Sequence, residues 1–202
     1  MAQARTRKPS SAASKGAASV LIALLRGVNV GGQKRVPMTE LRQLALDVGC
    51  QRAETYIQSG NLVVTVGLTP AVLEQRLEAA IAEHFGFTVE VIARTAAAFF
   101  DYAKVTLFPD AEAARPNLLL LGVAKQKLLP GAVAALMARA EGGERVAVAE
   151  GSLWFDFISG SGRSKLSPAV IDRAAGSTVT TRNWNTVREL AELARRQAEL
   201  GA

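Results

Sequence analysis

The sequence has few of the residues that common catalytic sites use. Its 202 residues include one cysteine, Cys50, and one histidine, His84. A single cysteine excludes an intrachain disulfide and any metal site built from several cysteines. A Cys/His or Ser/His mechanism would have to use His84, and a zinc site normally needs further histidines or acids. The sequence therefore predicts no metal and no cofactor, and it selects no catalytic residue.

The sequence also lacks long apolar runs, and outside residues 1–19 its positive and negative charges nearly balance. No run approaches the roughly 18–20 apolar residues of a membrane-spanning helix, so we expect no membrane segment. The formal charge is +6, but Arg5, Arg7, Lys8 and Lys15 lie in residues 1–19, which hold no acid. The remainder is nearly neutral and offers little charge for phosphates. Nucleic acid is therefore a possible partner with little support.

Residues 1–19 are rich in alanine, serine and basic residues. They contain no continuous apolar stretch, so they do not form a secretory signal. An organellar transit peptide would have a similar composition and stays an alternative. We predict a disordered basic tail over residues 1–19 and a cytoplasmic location.

The first half of the chain alternates strand and helix patterns in the order β-α-β-β-α-β, the ferredoxin-like arrangement. Residues 20–25 and 87–93 are predicted strands, and Ser59-Gly60 is predicted to join the two strands of a hairpin. One helix runs from Met38 toward Gly49. The other begins at Thr69-Pro70, an N-cap followed by proline, and stops at Gly86.

The second half repeats this pattern. Residues 117–123 and 177–181 are predicted strands, and Glu150-Gly151 occupies the hairpin position. Predicted helices cover residues 130–140 and begin at Ser167-Pro168, and an amphipathic helix ends the chain. The fold class is therefore α+β, with two successive ferredoxin-like units and mostly antiparallel sheets. The predicted segments are the tail, two units and a connector: 1–19, 20–94, 95–115 and 116–202.

The first candidate binding segment is residues 26–32, which follow the strand over residues 20–25. Gly31, Gly32 and Gly27 let backbone N–H groups approach an anion, and Arg26 offers a bidentate donor. The segment is not a P-loop, because Gln33 and the residues after it replace the required Lys-Ser/Thr. A turn that needs positive φ, with Arg26 in a surface ion pair, is the alternative.

Three further segments carry polar side chains. Gln58 and Asn61 bracket the first hairpin turn and can both donate and accept hydrogen bonds. Lys165 ends the loop 159–165, whose glycines, hydroxyls and cations suit a phosphate, although a solvated loop fits equally well. In residues 181–186, Arg182 beside Trp184 suits a planar ligand. Asn183 or Asn185 is expected to cap the last helix.

The stretches ALLRGVNVGG, VPMTEL, TYIQSGN, SKL and TRNWNTV resemble the signature stretches of the domain of unknown function family 1697 (DUF1697). They occur in the same order and extend from Ala23 to about Leu193. The resemblance implies a two-part fold of ferredoxin-like units and supplies no established substrate, cofactor or catalytic residue. It adds weight to the residues inside these stretches: Arg26, Asn29, Gln58, Asn61, Lys165, Arg182, Asn183 and Asn185.

We expect the first and third strands of each unit to run parallel to one another. Segments 26–32 and 58–61 would then lie at opposite ends of the first unit, and 159–165 and 181–186 at opposite ends of the second. A single site would require loops from different units to meet between them.

Three hypotheses about function follow. The first is binding, with or without catalysis, of a small anionic ligand such as a nucleotide or phosphorylated metabolite between the units. The second is an RNA-binding or ribonucleoprotein-associated module, for which the second unit offers Trp154, Phe155 and Phe157. By alternation Phe155 and Phe157 share one face of their strand, and we expect the core to bury that pair. The third is a structural or partner-binding protein whose polar signatures are caps and turns. Asp156 and Glu54 are possible bases that no spacing selects, and the sequence predicts no oligomeric state.

Overall fold

The computed structural model describes residues 17–201, so the tail predicted over residues 1–19 lies mostly outside the described residues. Strand β1 begins at Ser19, one residue before the predicted strand. The elements of the first unit follow the predicted order: β1 (Ser19–Leu25), α1 (Met38–Asp47), β2 (Arg52–Tyr56), β3 (Asn61–Val66), α2 (Pro70–Phe85) and β4 (Val91–Thr95).

Two short helices connect the units. They are α3 (Ala96–Tyr102) and α4 (Pro109–Ala114). Within the connector the sequence predicts a helix over residues 96–104, which α3 confirms, and then a loop bearing Pro109 and Pro116. The loop prediction is wrong where α4 forms. Pro109 occupies the start of α4 and Asp110 lies in its first turn, and both are ordinary helix-start signals.

The second unit repeats the first, with a 3-10 turn at Ser161–Arg163 and one helix added after the last strand. Its elements are β5 (Leu119–Ala124), α5 (Ala132–Met137), β6 (Arg145–Ala149), β7 (Ser152–Asp156), α6 (Pro168–Ala175), β8 (Val179–Asn183) and α7 (Trp184–Glu199). Ser167 caps α6 as Thr69 caps α2, and left-handed glycines, Gly176 and Gly86, end both helices.

Each unit contains one four-stranded sheet, and all the pairs are antiparallel. The strand orders are β2-β3-β1-β4 and β6-β7-β5-β8. This confirms the prediction of an α+β fold with two ferredoxin-like units. It also contradicts our assumption about strand direction. Since β1 is antiparallel to both β3 and β4, it runs parallel to β2, not to β3.

Three predicted details of the strands are wrong. Pairing of β4 with β1 begins at Val91 opposite Leu25. Residues 87–90 extend past the end of β1 and form no strand, although the Arg26 N–H donates to the Glu90 carbonyl at 3.0 Å. Strand β8 is predicted over residues 177–181, but its pairing with β5 continues to Asn183. The first hairpin closes from Tyr56 to Asn61, which makes its turn four residues long. The turn at Glu150-Gly151 has two residues, as predicted.

The two units share a core. The face of the first sheet that α1 and α2 leave uncovered contributes Ile22, Val63 and Ile92, and the second unit contributes Leu121 and Trp154. Helices α3 and α7 complete this cluster, and α7 also contacts β1 and β3 of the first unit. Separate cores lie under α1 and α2 and under α5 and α6. The units are therefore held together by apolar packing across their interface.

Among residues 17–201, no helix is both long and apolar enough to cross a membrane.

Candidate functional site

The loop after β1 and the turn between β2 and β3 lie side by side. The Leu25 N–H donates to the Gly60 carbonyl at 2.8 Å, and the Asn29 side chain donates to the Gln58 carbonyl at 2.8 Å. The expectation that segments 26–32 and 58–61 lie at opposite ends is therefore wrong. The two segments adjoin because β1 and β2 run parallel, so the residues that follow each strand lie at the same end of the first sheet.

The same correction applies to the second unit. Strands β7 and β8 are both antiparallel to β5, so they run parallel to one another. Segments 159–165 and 181–186 therefore follow strand ends that point the same way. Ser161 and Gly162 of the first segment and Thr181 and Arg182 of the second line one cleft.

This inter-unit cleft has a volume of about 600 Å³ and receives residues from both units. The first unit supplies the end of β1, its following loop and Ser59. The second supplies β8, the start of α6 and the loop between β7 and α6. Nine of the nineteen lining residues are apolar and eight carry a hydroxyl or a guanidinium group. None of the described lining residues is a Cys, His, Asp or Glu: Leu25, Arg26, Gly27, Val28, Val30, Ser59, Leu120, Phe157, Ser161, Gly162, Ser164, Leu166, Ser167, Pro168, Ile171, Val179, Thr180, Thr181 and Arg182.

Arg182 joins the two units at this cleft. Its Nε–H donates to Oδ1 of Asn61, and its Nη2 donates to the carbonyls of Leu25 at 2.8 Å and Ser59 at 3.0 Å. Its Nη1 donates to the Thr180 hydroxyl at 2.9 Å within its own strand. The guanidinium therefore ties β8 to the end of β1 and to the first hairpin turn.

Arg182 is a buried cation whose acceptors are all neutral. Only 8% of the residue is exposed, and no carboxylate among residues 17–201 forms an ion pair with it. Burial lowers the pKa of its guanidinium to about 10, because the charged form loses its hydration. Neutral oxygens satisfy its N–H groups, but they supply no opposite full charge.

Arg26 lies on the same cleft in a different electrostatic setting. Its Nη1 lies 2.8 Å from a carboxylate oxygen of Asp172 in α6 and 3.7 Å from one of Glu90 before β4. Asp172 also accepts from the Val179 N–H at 2.9 Å, and Glu90 accepts from the Thr178 hydroxyl at 2.7 Å. Folding therefore fixes both carboxylates next to Arg26.

Asn29 and Asn61 stabilise the loops around the cleft. Asn29 has φ of 57°, and its side chain both accepts from the Val36 N–H at 2.8 Å and donates to the Val36 carbonyl at 2.9 Å. Gly31 and Gly32 lie between these residues with φ of 60° and 75°. Asn61 is fully buried and donates to the Tyr56 carbonyl at 3.1 Å. These contacts are those of turns.

The remaining candidates do not line the cleft. Lys165 is exposed and pairs with Glu141. Gln58 is exposed in the first hairpin turn. Asn183 accepts from the Thr186 N–H at 2.9 Å, which confirms that one asparagine of this segment caps the last helix. Asn185 donates to Asn117 at 2.9 Å on the surface. Of the ten candidate residues, only Arg26 and Arg182 line the cleft.

Sequence reasoning missed the acids beside the cleft and its apolar wall. Asp172 and Ile171 lie on α6, and nothing in the helix pattern tells which loop of the other unit they face. Phe157 follows β7, where its alternation indicated burial but not a cleft. The sequence can assign these residues to helices and strands. That they meet at the cleft depends on how the two units pack.

The possible bases Asp156 and Glu54 lie away from the cleft. Asp156 is fully buried and accepts hydrogen bonds from Arg115 at 2.9 Å and from Arg145 at 2.9 Å. Burial opposes its charged form, but these two guanidinium groups outweigh it and lower the pKa of Asp156. Glu54 is exposed on β2, at the edge of the first sheet.

The aromatic residues considered for RNA binding are inside the protein. Trp154 packs edge-on against Trp184 in the shared core, with ring centroids 5.5 Å apart. Phe155 and Phe157 stack in the core under α5 and α6. None of the three presents an open aromatic face to solvent.

Comparison with known proteins gives a family and a fold. Residues 19–154 match the family described as "Protein of unknown function (DUF1697)". No curated protein matches the chain. A solved structure, that of the conserved bacterial protein SP0830 from Streptococcus pneumoniae, is similar with a TM-score of 0.64 and 22% identity. The alignment covers 88% of this chain and 99% of that one, and at this identity the likeness concerns the fold alone. Because the family match extends over more than half of the chain, this protein belongs to the DUF1697 family of proteins of unknown function.

Proposed function

We propose that this protein binds a small anionic ligand, such as a nucleotide or phosphorylated metabolite, in the inter-unit cleft. The observation that carries the proposal is Arg182, a buried cation on the cleft wall without a carboxylate partner. Burying a charge without an opposite charge is unfavourable even when its hydrogen bonds are made. An anion in the cleft would supply the missing charge from outside the protein.

The cleft has the size and position of a small-molecule site. Its volume of about 600 Å³ lies within the roughly 300–1,000 Å³ that is usual for ligand pockets. Ligand sites also occur preferentially between structural units, where loops from both sides contribute. Arg26 on the rim offers a second guanidinium, whose planar N–H groups suit a carboxylate or phosphate.

Binding is the whole of this proposal, and catalysis is not included. The described lining residues include no thiol, imidazole or carboxylate that could act as nucleophile or base. Cys50 is buried under α1 and α2, and His84 pairs with Glu40 on the surface at 2.7 Å. Neither residue lines the cleft.

A structural role is the second candidate for part of the polar signature. Asn29, Asn61 and Asn183 form hydrogen bonds of turns and a helix cap within the protein. Such contacts indicate that these three residues stabilise turns and a helix end. They do not account for the positive charge of Arg182, because its acceptors are all neutral and leave that buried charge uncompensated.

A thermal shift screen with nucleotides, phosphorylated metabolites and carboxylates tests the proposal. We expect at least one of these anions to raise the melting temperature, since a ligand that binds only the folded state stabilises it. Arg26→Ala should remove that shift. Arg196→Ala is the matched control, because Arg196 is an exposed arginine that pairs with Glu189 on α7 and does not line the cleft. An equal loss in both variants, or no shift with any anion, would contradict the proposal.

A further inference from the structure

The charges around the inter-unit cleft almost cancel. Arg26 faces the two carboxylates of Asp172 and Glu90, at 2.8 and 3.7 Å. Arg182 is a second cation that has no acidic partner among the described residues. The charges of these four side chains cancel, so they give the cleft no cationic excess of the kind that a polyphosphate requires.

The two carboxylates cannot easily move away from an incoming ligand. Asp172 is held by the Val179 N–H and Glu90 by the Thr178 hydroxyl, in addition to Arg26. A ligand with several negative charges would lie close to both carboxylates at the rim of the cleft. Like charges repel at close range. One negative charge near Arg182 avoids this repulsion, because it neutralises the single uncompensated cation.

The walls of the cleft suit an apolar group better than a sugar. Phe157, Ile171 and Val179 line it from the second unit, and Val28 lines it from the first. The hydroxyl of Ser164 already donates to Glu144, and that of Ser167 already accepts from the Val170 N–H. The apolar side chains of this wall offer no hydrogen-bond partners to the hydroxyl groups of a ligand.

From these observations we infer that the ligand is a monoanion with a mainly apolar body, such as an aliphatic or aromatic carboxylate. This inference rests on the proposed function of the same cleft and narrows its ligand class. The single charge lies near Arg26 and Arg182, and the apolar body contacts Phe157 and Ile171. Nucleoside triphosphates fall outside this class because of their several charges.

A titration series that changes only the charged group tests the inference. The probes are octanol, octanoate and octyl phosphate, with ATP as the polyphosphate, each added at pH 8 to the full-length ¹⁵N-labelled protein. The readout is the amide shift of Gly27, Gly162 and Thr181 in the cleft. We expect octanoate to bind at least tenfold more tightly than octanol and more tightly than octyl phosphate or ATP.

The outcomes separate the two proposals. Tighter binding of ATP or octyl phosphate at these amides would overturn the monoanion inference and keep the proposed anion site. Equal binding of octanol and octanoate would overturn the inference and contradict an anion site as well. If none of the four probes moves these amides, both proposals fail.

A charge variant gives an independent test that does not remove a cation from the cleft. Glu90→Gln keeps a side chain that can accept from Thr178 and removes one negative charge beside Arg26. It should strengthen octyl phosphate binding by about fivefold relative to octanoate. Glu189→Gln is the matched control, since Glu189 pairs with Arg196 on α7. An unchanged ratio of the two affinities in Glu90→Gln would overturn the inference.

Discussion

Arg182 in the last strand of the second unit donates its Nε–H to the side-chain oxygen of Asn61 in the first unit. The same guanidinium reaches the Leu25 carbonyl at the end of β1. One side chain therefore connects the ends of three strands across the interface of the units. It does so with a positive charge that no described carboxylate neutralises.

Removing this guanidinium should destabilise the protein strongly. Arg182→Met would leave the buried oxygens of Asn61, Leu25 and Ser59 without their donor, and each unpaired buried acceptor costs roughly 1–3 kcal/mol. We expect the free energy of unfolding to fall by about 3 kcal/mol in urea titrations. Arg139→Met, at an exposed position, should change it by less than about 0.5 kcal/mol. Equal effects would show that Arg182 does not hold the units together.

The two asparagines of the segment TRNWNTV should differ in their effect on stability. Asn183→Ala removes the cap of α7 and should lower the free energy of unfolding by about 1 kcal/mol. Asn185→Ala removes one surface hydrogen bond to Asn117 and should have less than half of that effect. Chemical denaturation of the two variants side by side measures the difference, and a larger loss in Asn185→Ala would refute the assignment of the cap.

The buried carboxylate of Asp156 should make stability depend on acid pH. Its pKa is lowered in the folded state because Arg115 and Arg145 outweigh the effect of burial. A lowered carboxylate pKa contributes stability above the unfolded value, near 3.9, and loses it as the pH falls through the folded value. Asp156→Asn should therefore cost about 3 kcal/mol at pH 7.

That difference between wild type and Asp156→Asn should shrink steadily below about pH 4. Asp101→Asn is the matched control, because Asp101 pairs with Lys104 at an exposed position. Unfolding curves between pH 7 and pH 2.5 provide the measurement. A difference that stays constant over this range would rule out Asp156 as the source.

The single thiol should be unreactive while the protein is folded. Burial raises the pKa of Cys50 to about 11, although Arg76 acts in the opposite direction. At pH 8 the fraction of the thiol present as reactive thiolate is then roughly 100-fold lower than in a free cysteine. Alkylation followed by mass spectrometry should give slow modification of the native protein and fast modification in denaturant. Similar rates in the two conditions would contradict burial of the thiol.

Most of the fold could be predicted from the sequence, because its signals are local. Thr69-Pro70 and Ser167-Pro168 start helices where expected, and Gly86 ends one. Strand ends were less predictable, since pairing decides them. Residues 87–90 alternate like a strand, yet β1 ends opposite Val91 and its regular pairing does not extend to them.

The candidate site was less predictable, because it depends on strand direction and on packing between units. Our assumption that β1 and β3 run parallel separated loops that in fact adjoin. The sequence identifies Arg26 as a cation beside a glycine loop and Arg182 as a cation beside Trp184. Their electrostatic surroundings in the structure differ. Asp172 neutralises Arg26 from a helix of the other unit, and no spacing along the chain indicates that pairing.

The most direct test of the anion site between the units is a map of amide shifts during separate titrations with AMP and octanoate. If the ligand lies between the units, amides of Gly27 and Ser59 in the first unit and of Gly162 and Thr181 in the second should move with one common midpoint. Gly131, at the start of α5, should not move. Shifts confined to one unit, or no shifts at these amides with either compound, would contradict an anion site in the inter-unit cleft.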